Sequence, residues 1–272
     1  MQSHVIRGSG GVKLRVDETG ESDGTSVLFL HGYSQCRLAW RKQFQSDLSS
    51  DMRLIAMDLR GHGSSDKPRS VYDDASYWAD DVQAVIEALD LSDFYLVAWS
   101  YAGLIALAYL DAYGTDRVAG LNMVGAISGI GTEAATELLG EPYLDLFPEL
   151  TSTDAEESVA ALETFVRRCV YGELSPADRY FMLGYNTVVP PHVRDALRMR
   201  TVSHRDVLTE LDVPVLLTYG IEDNIIRPKT ADVHADLVSN PHVSRYPAVG
   251  HTPFWEAPDR FNRELQEFIT DR

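Results

Sequence analysis

The stretch FYLVAWSYAGLIA, residues 94–106, joins an apolar run to helix-forming residues with a single serine, Ser100, at the junction. The run FYLVAW is typical of a buried strand, and the residues from 101 to 114 are typical of a helix. Ser100 could simply cap that helix. A tight turn between strand and helix could instead hold its hydroxyl above the sheet as a nucleophile. Ala98 and Ala102 are small, as such a turn requires, although the usual G-x-S-x-G motif has glycine at both positions.

Two later strand ends supply the partners that a nucleophilic serine needs. The run VPVLLTYG (213–220) continues into IEDNIIRP and places Asp223 just beyond a strand, and VSRYPAVG (243–250) is followed at once by His251. Because the carboxyl ends of parallel strands meet at one edge of a sheet, we expect Ser100, Asp223 and His251 to lie together. We predict a catalytic triad in which His251 is the base and Asp223 orients its imidazole.

Other residues compete for these roles. Glu222 is the neighbouring alternative for the acid, and the loop after the strand-like run 118–127 has no carboxylate before Glu133, which favours Asp223. His31 and His62 are alternative bases or metal ligands. Neither has ligand spacing with another histidine, cysteine or carboxylate, so we expect both to stabilise turns and we predict no metal.

Acyl transfer also needs hydrogen-bond donors for the oxyanion. The backbone N–H of Tyr101, directly after the nucleophile, is one expected donor. The second is expected from the loop HGYSQCRLAW that follows the strand VLFL, where the N–H of Tyr33 is the candidate.

Strands and helices alternate on both sides of a long helical segment. Short β-rich runs such as SVLFLHG and RLIAMDL are separated by helical stretches up to about residue 128, and the alternation resumes after about 204. It predicts an α/β fold with a mostly parallel sheet covered on both faces. Between these parts we find helical patches and no convincing strand. We therefore predict one α/β core, residues 1–128 and 205–272, with a helical cap or lid at 129–204.

Composition excludes several classes of function. The formal net charge of −17 and a pI near 4.8 argue against nucleic acid and anionic membranes as partners. Cys36 and Cys169 form neither a disulfide framework nor a zinc motif, so free thiols are expected. The N-terminal segment has no apolar signal-peptide core, and no apolar run is long enough to span a bilayer. We expect a cytoplasmic protein.

The motifs HGYS, DLRGHGSSDKP, AWSYAG, GIEDNIIRP and GHTPFWEAPDRF resemble the α/β-hydrolase superfamily, in its esterase, epoxide hydrolase and haloalkane dehalogenase-like branch with a helical cap. The resemblance covers nearly the whole chain except the cap. It implies an eight-stranded, mostly parallel sheet and a hydrolase that needs no cofactor, and the order serine, aspartate, histidine is the order of this family. Epoxide hydrolases and haloalkane dehalogenases carry aspartate at the nucleophile position, so Ser100 disfavours both activities.

The resulting prediction is a serine hydrolase that cleaves a small to medium carboxylic ester or lactone through an acyl-enzyme. A carbon–carbon bond hydrolase or a cofactor-free perhydrolase on the same triad is an alternative, and so is a slow-turnover ligand receptor of the same fold. The substrate pocket is expected between Ser100 and the cap. Its candidate lining residues are aromatic, and each could equally pack in the core: Trp99, Phe254 and Trp255 beside the motifs, and Tyr143, Phe147, Phe181 and Tyr185 in the cap.

Overall fold

An eight-stranded sheet forms the centre of the computed structural model, which describes residues 1–270. Its strand order is β1-β2-β4-β3-β5-β6-β9-β10, and β2 runs antiparallel to β1 and β4 while all other neighbours are parallel. The predicted α/β fold with an eight-stranded, mostly parallel sheet is therefore confirmed. The strands, with two short ones outside this sheet, are β1 Gln2–Arg7, β2 Lys13–Gly20, β3 Thr25–Leu30, β4 Met52–Met57, β5 Phe94–Trp99, β6 Val118–Val124, β7 Gly129–Ile130, β8 Val202–Ser203, β9 Val215–Gly220 and β10 Pro241–Tyr246.

Helices cover both faces of this sheet. Short 3₁₀ turns occur at Ser9–Gly11 and Arg37–Trp40. The α-helices are α1 Arg41–Phe44, α2 Leu48–Asp51, α3 Ala75–Ala88, α4 Ala102–Tyr113, α5 Glu133–Thr136, α6 Glu141–Leu144, α7 Phe147–Leu150, α8 Ala155–Arg168, α9 Pro176–Thr187, α10 Pro191–Arg198, α11 Arg205–Glu210, α12 Thr230–Ala235, α13 Pro253–Glu256 and α14 Pro258–Thr270. Within the part of the chain that the structure describes, none of these is both long and apolar enough to cross a membrane.

Alternate side chains of each central strand enter two separate cores. In β5, Leu96 and Ala98 pack with α3 and α4, whereas Val97 and Trp99 pack with α13 and α14. This alternation follows from the two-residue period of a strand. Because both faces are buried, β5 is apolar along its whole length, as strands of parallel sheets are. Ser100 is the first residue after it.

The predicted helical segment, residues 129–204, contains α5 to α10 and also two short strands. β7 and β8 pair antiparallel, with Gly129 opposite Ser203 and Ile130 opposite Val202. The expectation of no strand in this segment was wrong at its two ends, because a two-residue strand is too short to produce a periodic pattern. The paired strands lie where the chain leaves the sheet after β6 and where it returns towards β9. We call residues 129–204 the insertion.

Candidate active site

Ser100 lies in a tight turn between β5 and α4. Its φ of 59° places it in the left-handed region, which costs free energy for a non-glycine residue and is found mainly at functional sites. Its amide donates to the carbonyl of Val124 (2.9 Å), and its own carbonyl accepts from Gly103 (3.0 Å) and Ile127 (3.2 Å). Within residues 1–270 its hydroxyl makes no hydrogen bond and caps no helix. The backbone network therefore holds this strained turn, and the side chain is available for another role.

His251 and Asp223 form a buried hydrogen-bonded pair. Nδ1 of His251 donates to Oδ2 of Asp223 at 2.7 Å, and both side chains are almost fully enclosed. The second oxygen of Asp223 accepts from the amides of Ile225 (2.7 Å) and Ile226 (2.9 Å). These bonds fix the carboxylate, and its bond to Nδ1 leaves Nε2 of the imidazole as the proton acceptor.

The backbone of His251 is held from two directions. Its amide donates to the carbonyl of Cys169 in the insertion (2.8 Å), and its carbonyl accepts from the indole Nε1 of Trp99 (2.9 Å). The Trp99 ring lies 5.5 Å from the imidazole, centroid to centroid. Trp99 precedes Ser100, so the structure brings the Ser100 turn and the His251–Asp223 pair to the same sheet edge. The exposed Glu222, the alternative acid, has no contact with His251.

The loop after β3 approaches the Ser100 turn closely. A Cβ atom at Gly32 would lie 2.9 Å from Cβ of Ser100, so a larger residue would force the two segments apart. Tyr33 follows directly, and neither its amide nor that of Tyr101 donates to another group within residues 1–270. Two unused N–H groups beside a serine hydroxyl are the arrangement expected of an oxyanion site.

The phenol groups of these two tyrosines anchor the turn to the insertion. Tyr33 donates to the carbonyl of Arg194 (3.1 Å), and Tyr101 donates to that of Leu197 (3.2 Å) while accepting from Nη1 of Arg200 (3.1 Å). Burial raises the pKa of both phenols, which keeps them neutral and able to donate. Both candidate oxyanion residues are therefore fixed by α10 and the segment after it.

Two of the aromatic residues expected near the pocket lie in the core behind the site. Trp99 and Phe254 are buried, with ring centroids 4.8 Å apart, and both pack on Trp40. For these two residues the structure shows packing in the core, which was the alternative to lining the pocket. Tyr143 lies on the other side, 6.4 Å from the Tyr33 ring and 4.7 Å from that of Phe147.

The remaining three aromatic residues lie at or beside a cleft between α9 and the segment that follows Tyr33. The cleft has a volume of about 390 Å³, and Phe181 and Tyr185 line it. Trp255 stacks on Phe181, with the rings 6.1 Å apart and 24° from parallel. A larger cavity of about 740 Å³ lies at the opposite end of the sheet, where β9 and β10 begin, and contains none of the predicted site residues. We call the first of these the α9 cleft.

Sequence patterns missed some residues beside the site. Gly125 follows β6 and touches the His251–Asp223 pair. Glu256 accepts hydrogen bonds from the residues on both sides of His251. A glycine after a strand and a glutamate four residues beyond Thr252 are too common to carry a signal, although Glu256 lies within the recognised motif GHTPFWEAPDRF.

Comparisons with known proteins indicate the same fold family over nearly the whole chain. The family described as alpha/beta hydrolase fold matches residues 25–258. The crystal structure of an esterase, RhEst1 from Rhodococcus sp. ECU1013, is 37% identical and superposes with a TM-score of 0.95 over 99% of both chains. A putative aryl esterase from Burkholderia cenocepacia is 30% identical, with a TM-score of 0.89 over 98% of both chains. A non-heme chloroperoxidase from Streptomyces lividans is 27% identical over 97% of this chain and 99% of its own.

Proposed function

The chain belongs to the α/β-hydrolase fold family, and we propose that it is a serine hydrolase that cleaves a small to medium carboxylic ester or lactone through an acyl-enzyme. One observation carries the proposal: the buried 2.7 Å bond between His251 and Asp223 lies at the same sheet edge as the strained turn of Ser100. The similarity to two esterase structures supports ester hydrolysis as the reaction class.

In the proposed cycle, Oγ of Ser100 attacks the substrate carbonyl while Nε2 of His251 takes the hydroxyl proton. Asp223 stabilises the imidazolium that forms. The amides of Tyr33 and Tyr101 donate to the oxyanion of the tetrahedral intermediate. His251 then gives the proton to the leaving alcohol, and a water molecule activated by the same imidazole hydrolyses the acyl-enzyme.

We assign the apolar part of the substrate to the α9 cleft. Three large apolar side chains at its rim are exposed, namely Leu38, Tyr180 and Val188, at 38%, 64% and 50%. An apolar cleft with such a rim suits a hydrocarbon or aromatic substituent.

Tyr185 forms a buried wall of this cleft. Burial, with the thiols of Cys36 and Cys169 close by, raises the pKa of Tyr185 well above its usual value. Cys36 lines the cleft, whereas the carbonyl of Cys169 accepts from His251. Tyr185 is therefore near both a residue that lines the cleft and the segment that binds the backbone of His251. The insertion, which supplies this wall, is proposed to act as the cap.

The similarity to a bifunctional esterase/perhydrolase from Acinetobacter calcoaceticus, 25% identical over 95% of this chain, favours a perhydrolase as a second candidate. The chemistry needs only one change, because hydrogen peroxide in place of water would attack the same acyl-enzyme and release a peracid. Partition of the acyl-enzyme between water and peroxide would then decide the product.

The test measures release of p-nitrophenol from esters of increasing acyl length, beside ring-opening of simple lactones and beside peracid formation from acetate and peroxide. Substitution Ser100→Ala should lower kcat by about 10⁶-fold, as loss of a triad serine does. A fluorophosphonate should label Ser100 stoichiometrically in the native protein. A Ser100→Ala variant with wild-type turnover would remove Ser100 from its role, and a native protein that neither turns over nor labels would end the proposal.

A further inference from the structure

Glu256 accepts hydrogen bonds from four backbone or hydroxyl groups around His251. Oε1 accepts from the amide of Gly250 (3.0 Å) and from the amide and hydroxyl of Thr252 (3.3 and 2.9 Å). Oε2 accepts from the amide of Tyr171 in the insertion (2.7 Å). Within residues 1–270 Glu256 makes no ion pair, so its charge is directed to these donors alone. Hydrogen bonds to an ionised acceptor are about twice as strong as neutral ones.

The residues on both sides of His251 are thus bound to one carboxylate. The imidazole projects from the residue between them, so its direction depends on the backbone that Glu256 fixes. The carbonyl of Cys169 completes the arrangement, because it accepts from the amide of His251 at 2.8 Å and from the hydroxyl of Thr252 at 3.5 Å.

The same bonds join the histidine loop to the insertion. A Cβ atom at Gly250 would lie 2.8 Å from the amide nitrogen of Tyr171 and 3.0 Å from the carbonyl oxygen of Cys169. The backbones of the two segments therefore touch, and Glu256 bridges them. Residues 169–171 directly follow α8, so one end of that helix rests on the histidine loop.

We propose that Glu256 is a positioning residue for His251, holding the imidazole in register with Ser100 by binding its two neighbours in the chain and the insertion together. This inference rests on the proposed function, because it assigns Glu256 a part in the same reaction. Glu256 itself touches neither Asp223 nor the reacting atoms, so its effect passes through the backbone of the histidine loop.

The test uses the full-length protein with Glu256→Ala and Glu256→Gln. Glu210→Ala is the matched control, since Glu210 also ends a short helix but is exposed. We expect Glu256→Ala to lower kcat on p-nitrophenyl acetate by about 10²-fold, the cost of a misplacement near 1 Å, with KM nearly unchanged. The rate of fluorophosphonate labelling at Ser100 should fall in parallel. Glu256→Gln should recover part of both rates, because its amide oxygen still accepts from Gly250 and Thr252.

Three outcomes would overturn the inference: wild-type kcat and labelling rates in folded Glu256→Ala, a loss confined to thermal stability, or a raised KM with kcat retained. If Glu256→Ala does not fold, Thr252→Val removes the hydroxyl, with its hydrogen bonds to Glu256 and to the carbonyl of Cys169, and leaves the amide bonds to Glu256 in place. It should lower kcat by a smaller factor at an unchanged KM, and wild-type rates in this variant would contradict a positioning role for Glu256. If the native protein is labelled normally and the variant is unaffected, this inference alone is wrong. If the native protein is not labelled at all, the proposed function is wrong as well.

Discussion

Gly125 packs so closely against His251 that a Cβ atom at position 125 would lie 3.1 Å from Nδ1 of the imidazole and 3.4 Å from Oδ2 of Asp223. These two atoms are the ends of the 2.7 Å hydrogen bond in the proposed triad. The φ of Gly125 is 48°, a conformation in which side chains are rare. Both the backbone and the packing therefore favour glycine at this position.

Substitution Gly125→Ala should lower kcat by about 10²-fold, because the added methyl group displaces the imidazole from Asp223. Gly10→Ala is the control, since Gly10 has a φ of 67° but open space around it. Both variants should lose about 1 kcal/mol of stability from the left-handed backbone. Steady-state kinetics and urea unfolding separate the two effects, and equal kinetics in both variants would contradict the steric argument.

Substitution Asp223→Asn should lower kcat by about 10⁴-fold, since an asparagine favours the wrong tautomer of His251. Glu222→Gln should leave kcat near the wild-type value, because Glu222 is exposed and does not contact the histidine. The measurement is ester hydrolysis by both folded variants under identical conditions. A larger loss in Glu222→Gln would transfer the orienting role to Glu222.

Substitution Gly184→Phe should fill the α9 cleft. Gly184 lines this cleft within α9, and a Cβ atom there meets nothing within 4 Å, so a side chain can be attached there without displacing the backbone. We expect kcat/KM for a p-nitrophenyl octanoate to fall by at least about tenfold while that for the acetate is retained. Gly172→Phe is the matched control, because Gly172 also has open space and lies outside the cleft. If the acetate and octanoate fall equally, the cleft does not hold the acyl chain.

Mild acid should destabilise the fold through its buried histidines. Burial lowers the pKa of His31 and of His62 to about 3, and that of His234 to about 4, whereas the unfolded chain binds a proton near pH 6.5. Below pH 6.5 the unfolded state therefore binds more protons, and stability falls until the pH reaches the folded values. His31 and His62, whose pKa values are lowered most, should each reduce the free energy of unfolding by roughly 2 kcal/mol at pH 5.

Urea unfolding at pH 7.5 and at pH 5 tests this dependence. The urea concentration at the midpoint of unfolding should be lower at pH 5. The slope of the unfolding free energy with pH should show that more than one proton is taken up when the protein unfolds. A free energy of unfolding that stays constant from pH 7.5 to pH 5 would show that these histidines titrate in the folded protein.

The site residues could be predicted from the sequence because each lies at or shortly after the end of a predicted strand. Ser100 directly follows β5, and Asp223 and His251 stand three and five residues after the ends of β9 and β10, so their common sheet edge depends on the strands being parallel. The comparisons confirm the fold and the family on which that expectation rests.

Other elements lacked a local signal. β1 is a mostly exposed edge strand, and its polar residues hide the apolar period that marks a buried one. The contacts of Gly125 and Glu256 depend on how distant segments pack, which no short window of sequence contains. Trp99 is a different case: the two-residue period places it on the face opposite Ala98, and the structure puts its ring in the core behind the site.

The pairing of β7 with β8 brings the two ends of the insertion into one short ladder. A domain whose chain leaves and returns at a single point can exchange the intervening segment for one of another length while its sheet stays in register. Such exchange is a route by which relatives with one core acquire different substrates. Here a transplanted segment must also present a carbonyl to the amide of His251, as Cys169 does. A chimaera that restores the ladder but not this carbonyl should fold, bind its new ester and turn it over slowly.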